Sequence, residues 1–267
     1  MNEINTYKKN GFIVQKIFET KEIEEYESTF ADLCKMQLKK LNLDIKTNDI
    51  QDNIILLNKK NPEAIDETAV MARHSSIGHK LASNKKLYEI SSKLLKNKNS
   101  TNIISGPTLL VNIPNNKERK YSWHSEQNFY VKRRNFLGVW SPVFEDRTNN
   151  NSMGLKQGSH KKDWIYYSEY RGYDTAGKND GNQIIQHEIP EKFLKDYKTL
   201  IPKVKRTEAI VWNGKTVHRS LDIKISKILF TIVFMIYDYS NDLTLAANWA
   251  DRPNNGKVFG VPNINVD

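Results

Sequence analysis

The residue types best suited to chemistry stand in Trp123-His124-Ser125-Glu126-Gln127, where a histidine and a carboxylate are two positions apart. In an extended segment residues i and i+2 share a face, so the imidazole of His124 and the carboxylate of Glu126 point into one space. A divalent ion could take a nitrogen from one and an oxygen from the other. The pair needs a third ligand from a distant part of the chain, and His218, in Val217-His218-Arg219-Ser220, is the candidate. Two histidines and one carboxylate on one face, with the opposite positions open, form the ligand set of non-haem Fe(II) oxygenases. The pair alone is a weak signal. With 31 acidic residues in 267, roughly one histidine in nine has an acid two places on by chance. A surface histidine beside a glutamate is the bland alternative, and the surrounding elements decide.

Gly11-Phe12-Ile13-Val14 is a short apolar run that reads as a first strand. Thr20 follows as a helix cap, ahead of apolar positions at Ile23, Tyr26, Phe30, Leu33 and Leu38. Glu19 and Glu22 suit the positive end of that helix. Residues 42–60 are polar and poorly patterned. Asn61-Pro62 starts a helix toward Arg73, and Leu87, Ile90, Leu94 and Leu95 mark a third. Past residue 100 the pattern changes. Runs rich in Ile, Val, Phe, Trp and Tyr at 103–114, 123–131, 136–144, 184–189, 209–212 and 228–239 alternate with Asn, Gly and Pro turns. The chain reads as one domain, mainly β with N-terminal helices: a mostly helical front over 1–100, a β core over 101–240, and a tail over 241–267. His124 and Glu126 fall where a loop enters a strand. His218 falls in a turn-rich segment before the long apolar strand from Ile228.

Composition narrows the classes. Lys and Arg total 41 against 31 acids, a net charge of +10, but the lysines are scattered along the chain. A solvated surface fits that scatter better than a nucleic-acid footprint, which would cluster on one face. Cys34 is the single cysteine, which excludes an intramolecular disulfide and a cysteine-based zinc site; it reads as a buried thiol of the first long helix. No apolar run approaches a membrane span and residues 1–10 lack a signal-like apolar stretch, so the expectation is a cytoplasmic protein with no membrane partner. The oligomeric state stays open.

Six pieces in order resemble the phytanoyl-CoA dioxygenase (PhyH-like) family of Fe(II)- and 2-oxoglutarate-dependent oxygenases. They are Gly11-Phe12-Ile13-Val14; Gly106-Pro107 with the strand after it; Trp123-His124-Ser125-Glu126; Trp140 in a strand; Met153-Gly154-Leu155-Lys156-Gln157-Gly158-Ser159-His160; and Glu208-Ala209-Ile210-Val211-Trp212 before His218-Arg219-Ser220. The resemblance implies a double-stranded β-helix core of the jelly-roll, cupin-like kind. It also implies His124, Glu126 and His218 as iron ligands, with 2-oxoglutarate and O2 as cosubstrates. Ser220 looks like the hydroxyl that helps hold the far carboxylate of 2-oxoglutarate. Relatives carry an Arg at the start of the next strand for that carboxylate; here Lys227 is the match, with Lys224 as the alternative. Arg73, Leu109 and Trp140 match further cosubstrate contacts.

Two departures stand out. The family's carboxylate ligand is more often Asp than Glu, and Lys for Arg replaces a planar fork with a point charge. A carboxylate at position 126 implies hydroxylation, or a related two-electron oxidation, rather than halogenation. The substrate implied is a small polar metabolite, such as a sugar derivative or anionic intermediate. The stretch 161–205, with Tyr166, Tyr167, Tyr170, Tyr173 and Asp174, is the expected lid over it. Two other readings compete: a non-catalytic β scaffold keeping a relic metal site, and a zinc hydrolase, which lacks the helical H-E-x-x-H spacing.

Overall fold

The helical front holds more helix than hydrophobic spacing indicates. The computed structural model describes residues 3–44, 47–98, 101–114, 121–128, 135–149, 152–164, 167, 169–173, 184–221 and 227–238. Among them run α1 (Glu3–Asn10), α2 (Thr20–Lys40), α3 (Ile50–Lys60), α4 (Glu63–Arg73), α5 (Ser76–Ala82) and α6 (Lys85–Leu95). Helices α2, α4 and α6 lie where the apolar period puts them. The cap of α2 is Glu19 rather than Thr20, and the Glu22 carboxylate accepts the Glu19 N–H at 2.9 Å. Helix α3 falls in the stretch read as unpatterned. Its Ile54-Ile55-Leu56-Leu57 run hides the period, because Ile54 and Leu57 are buried while Ile55 is exposed. Cys34 is fully buried in α2, as expected. No helix among the described residues is long and apolar enough to cross a membrane.

The strands are β1 (Phe12–Lys16), β2 (Asn102–Asn112), β3 (Phe136–Val143), β4 (Met153–Lys156), β5 (Glu169–Tyr173), β6 (Ile184–Glu188), β7 (Thr199–Leu200), β8 (Glu208–Asn213), β9 (His218–Ser220) and β10 (Leu229–Asp238). They form a five-stranded sheet in the order β1-β8-β3-β10-β2, a three-stranded sheet β7-β4-β9, and a β5-β6 pair. Every pairing is antiparallel. The fold is a jelly roll with helices packed on the outside of its larger sheet. The tail over 241–267 lies outside the described residues.

Opposed residues of an antiparallel pair share a face, so the register sorts the large sheet into two sides. On β10, Phe230, Ile232, Phe234 and Ile236 join Leu137, Val139, Ala209 and Val211 in a core against the helices. Val233, opposite Trp140, belongs to a second core between the sheets, with Phe12, Met153, Leu155, Val204, Ile210 and Trp212. Leu109 is opposite Ile232 and packs in the helix-side core. It therefore faces away from the space between the sheets, contrary to the expected cosubstrate contact. Leu110, opposite Thr231, faces inward in its place.

Gly138 fixes the inner wall. It is opposite Trp212, and a Cβ at Gly138 would lie 2.1 Å from indole Cζ2 and 2.2 Å from Cε2. Gly138→Ala must push the whole indole aside, and overpacking of this kind costs about 1–3 kcal/mol. A lower urea midpoint with an unchanged m-value is the expected result; an unchanged midpoint would mean the indole has room to move.

Candidate metal centre

The site begins with one backbone bridge. His124 N–H donates to His218 O at 3.0 Å and His218 N–H to His124 O at 2.9 Å, so two residues distant in sequence are directly opposed. Side chains of such a pair emerge on one face, and the rings lie 4.2 Å apart between centroids. The extended path expected over 123–131 stops there. Glu126–Asn128 is a turn of 3₁₀ helix, and residues 129–134 are not among those described. The turn is pinned to Gly214: Ser125 Oγ donates to Gly214 O at 3.0 Å, and Gln127 N–H donates to the same oxygen at 3.2 Å. Gly214 has no room for a side chain, since its Cβ would meet the Phe136 ring at 2.3 Å.

Three donor atoms converge. Glu126 Oε1 lies 3.7 Å from His124 Nε2 and 3.5 Å from His218 Nε2. One ligand atom from each residue falls within 4.8 Å of the others, the one such group of three among the described residues. The far ring nitrogens are committed: His124 Nδ1 is 2.7 Å from Ser122 O, and His218 Nδ1 is 2.9 Å from Thr216 O. A carbonyl only accepts, so each Nδ1 carries a proton; a ring that also holds a proton at Nε2 donates it to Glu126, and a ring that gives it up turns an Nε2 lone pair to the same place. Both histidines are buried. Burial, then the neighbouring His124, push the His218 imidazole below its ordinary value, favouring the neutral form that binds metal. Burial alone would raise the Glu126 carboxyl; hydrogen bonds and charge from the two histidines outweigh it and hold it at about 2. An ionised carboxylate and two imidazoles, each braced from behind and able to exchange an Nε2 proton for a metal, suit a divalent transition metal.

Other expected residues scatter around this centre. Ser220 is opposite Met153 and shares the inner side with His218; its Oγ accepts the Tyr121 N–H at 3.3 Å, which leaves its own O–H to donate. Trp140 is on the inner face. Arg73, at the end of α4, donates from Nη2 to Ser105 Oγ at 3.1 Å, and Ser105 is opposite Met235 on the inner side of β2. Lys227 is exposed just before β10, and the first inward residue of that strand is Leu229; Lys224 is outside the described residues. The expected lid does not cover this space where it is described. Trp164, Ile189 and Leu194 pack with Trp123 and Val217, whose side chains leave their strands on the side opposite His124 and His218. Tyr167 and Tyr197 pack against the same cluster. Tyr166, Asp174 and the side chains of Tyr170 and Tyr173 lie outside what is described.

Sequence reasoning passed over two inner groups. The buried Thr231 Oγ1 and Trp212 Nε1 have no hydrogen-bond partner among the described residues, and the Trp212 ring stands 5.0 Å from that of His218. Thr231 left a trace in the sequence: it is the one hydroxyl in the apolar strand of residues 228–237 before Tyr237.

Residues 7–226 match the phytanoyl-CoA dioxygenase (PhyH) family. No curated protein sequence matches the chain. Among solved structures, EvdO2 from Micromonospora carbonacea var. aurantiaca, complexed with 2-oxoglutarate, is similar with a TM-score of 0.55 at 11% identity, over 88% of this chain and 89% of that one. EctD from S. alaskensis, with 2-oxoglutarate and 5-hydroxyectoine, gives 0.55 at 15% identity over 90% and 76%. The carbocyclase SnoK from nogalamycin biosynthesis gives 0.51 at 13% over 87% and 82%. At these identities the likeness is one of fold.

Replacing His124, Glu126 or His218 singly by Ala should weaken divalent-metal binding by more than the roughly 10–100-fold typical of losing an outer partner. The β core should stay folded, because none of the three belongs to an apolar core cluster. Metal content after anaerobic reconstitution, with circular dichroism alongside, checks both halves. A variant that retains full metal removes its residue from the site.

Proposed function

The chain belongs to the phytanoyl-CoA dioxygenase (PhyH) family and is an Fe(II)- and 2-oxoglutarate-dependent oxygenase; we propose that it hydroxylates a small polar metabolite, with His124, Glu126 and His218 holding the iron. The observation that carries this reading is the position of Glu126 Oε1 between two Nε2 atoms whose rings are braced by Ser122 O and Thr216 O. When bound, iron and 2-oxoglutarate supply the oxidising chemistry: O2, 2-oxoglutarate and a substrate C–H become succinate, CO2 and a C–OH. The residues of this chain bind, orient and shield. Glu126 fills the third protein position, which favours hydroxylation over halogenation.

In this reading the far carboxylate of 2-oxoglutarate takes its hydrogen bonds from Ser220 and Thr231, with Trp140 as an apolar wall. Thr231 supports the assignment because its buried hydroxyl has no partner among the described residues, and such a group is costly unless a ligand satisfies it. Lys227 adds charge from solvent rather than a buried ion pair. Arg73 is assigned to a polar cosubstrate or substrate group, and its hydrogen bond to Ser105 on the inner side of β2 supports that reading. The preference for a small polar substrate draws on the net charge of +10, which steers anions, and on the company of a fold neighbour crystallised with 5-hydroxyectoine.

Three measurements test the reading. Thr231→Val removes an orphaned hydroxyl at constant shape, so the cosubstrate-free protein should be as stable or more so. Its affinity for 2-oxoglutarate should fall by about tenfold, the value of about one hydrogen bond to a charged group. Lost stability with unchanged affinity would take Thr231 out of the site. Lys227→Ala should raise the 2-oxoglutarate requirement no more than about fivefold, since an exposed charge contributes at most about 1 kcal/mol. Finally, iron-loaded protein, 2-oxoglutarate and O2 are incubated with a metabolite extract. Substrate-dependent succinate with a product one oxygen heavier is expected. A response confined to acyl-CoA thioesters would overturn the substrate class, and no 2-oxoglutarate consumption would favour a relic site.

A further inference from the structure

We propose that Trp123 is a positioning residue of the metal centre, held in register by two cations on the reverse side of the strands that carry the ligands. The proposal rests on the reading that His124 and His218 bind metal. Neighbours along an extended segment point to opposite sides, so Trp123 and Arg219 leave their strands away from the site that His124 and His218 face. Lys156 Nζ lies 4.7 Å from the indole centroid and Arg219 Cζ 4.5 Å from it. Trp123 is only 4% exposed, and a cation over a desolvated ring is held more strongly than one in water.

The indole links three strands. Its own segment carries His124; Arg219 adjoins His218 on β9; Lys156 and Gly154 are on β4. Gly154 is opposite Arg219, and a Cβ there would touch indole Cη2 at 3.4 Å. The indole edge and backbone are fixed as well. Nε1 donates to Glu191 Oε1 at 3.2 Å, and Trp123 O accepts the Ile189 N–H at 2.7 Å. Lys156 Nζ is itself anchored on Tyr197 O at 3.2 Å. The backbone bridge sets the distance between the two histidines. Tyr121 O, which accepts the Ser220 N–H at 3.0 Å, and the contacts of Ser125 and Gln127 with Gly214 hold the segment on either side, and the pivot still open to it is a twist out of the plane of β9 and β4. A ring clamped across β9 and β4 blocks that pivot, and so sets how the three donor atoms converge.

The test compares Trp123→Phe, Trp123→Leu and the double variant Lys156→Met/Arg219→Met, each measured for Co(II) affinity, Co(II) visible spectrum and thermal unfolding of the metal-free protein. The double variant keeps the indole and the aromatic core, so it isolates the cations if Trp123→Leu folds poorly. Trp123→Leu and the double variant should each lose about tenfold or more in Co(II) affinity, with shifted ligand-field bands in the folded protein. Trp123→Phe keeps an aromatic face and should recover most of the affinity. Metal-free unfolding temperatures that fall while Co(II) affinity and spectrum stay at wild-type values would reduce Trp123 to core packing and overturn the proposal alone. Wild-type protein that binds no Co(II) would overturn the metal site itself, and the proposal with it.

Discussion

Two backbone hydrogen bonds, exchanged between His124 and His218, are the constraint on which the rest of the site depends. They join segments far apart in sequence, and the entropy of closing that loop grows only slowly with its length. The closure is supported at both ends. Ser125 and Gln127 converge on Gly214 O, while Gly214 N–H donates to Phe136 O at the start of β3. On the other side, Ser159 Oγ accepts the Val217 N–H at 2.9 Å and donates to Lys156 O at 2.7 Å. The bridge is thus tied to both sheets before any side chain reaches a metal.

The large sheet meets two demands with one set of strands. Toward the helices it presents a largely apolar face, whose burial supplies most of the stabilisation. Toward the site it carries Thr231 Oγ1 and Trp212 Nε1, buried and without partners among the described residues. Each such group costs stability when it is left alone. Local departures of this kind concentrate where a protein works rather than where it merely folds. The helix-side core is what allows the inner face to tolerate them.

Much of this was legible in the sequence, and the gaps have physical causes. His124, Glu126 and His218 stood out because ligand types at these spacings fit one chemistry, and the structure brings them together. Strands β1, β3, β8 and β10 were visible because both of their faces are buried, which writes nearly continuous apolar runs. Helix α3 was hidden by four consecutive apolar residues, and α1 because it buries only Tyr7. Leu109 was assigned to the wrong face because a run such as Leu109-Leu110-Val111 gives no sign of which parity faces inward. Only pairing with Ile232 and Thr231 decides it, and a shift of one residue inverts the answer. Residues 161–205 carry many aromatics, which a lid and a second core would both need. Trp164 and Leu194 turned out to serve the second.

Glutamate at position 126 acquires a physical reason from the backbone around it. Were residues 124–126 a regular strand, a short side chain at 126 would lie beside His124 on the same face. Here the chain curls into 3₁₀ helix at Glu126, pulled over by the contacts of Ser125 and Gln127 with Gly214. The curl carries the backbone off the strand's line, yet Oε1 still reaches to within 3.7 Å and 3.5 Å of the two Nε2 atoms. One more methylene, about 1.5 Å of reach, compensates for a strand that ends early. The length of the glutamate and the early 3₁₀ turn are then one feature, each making the other workable.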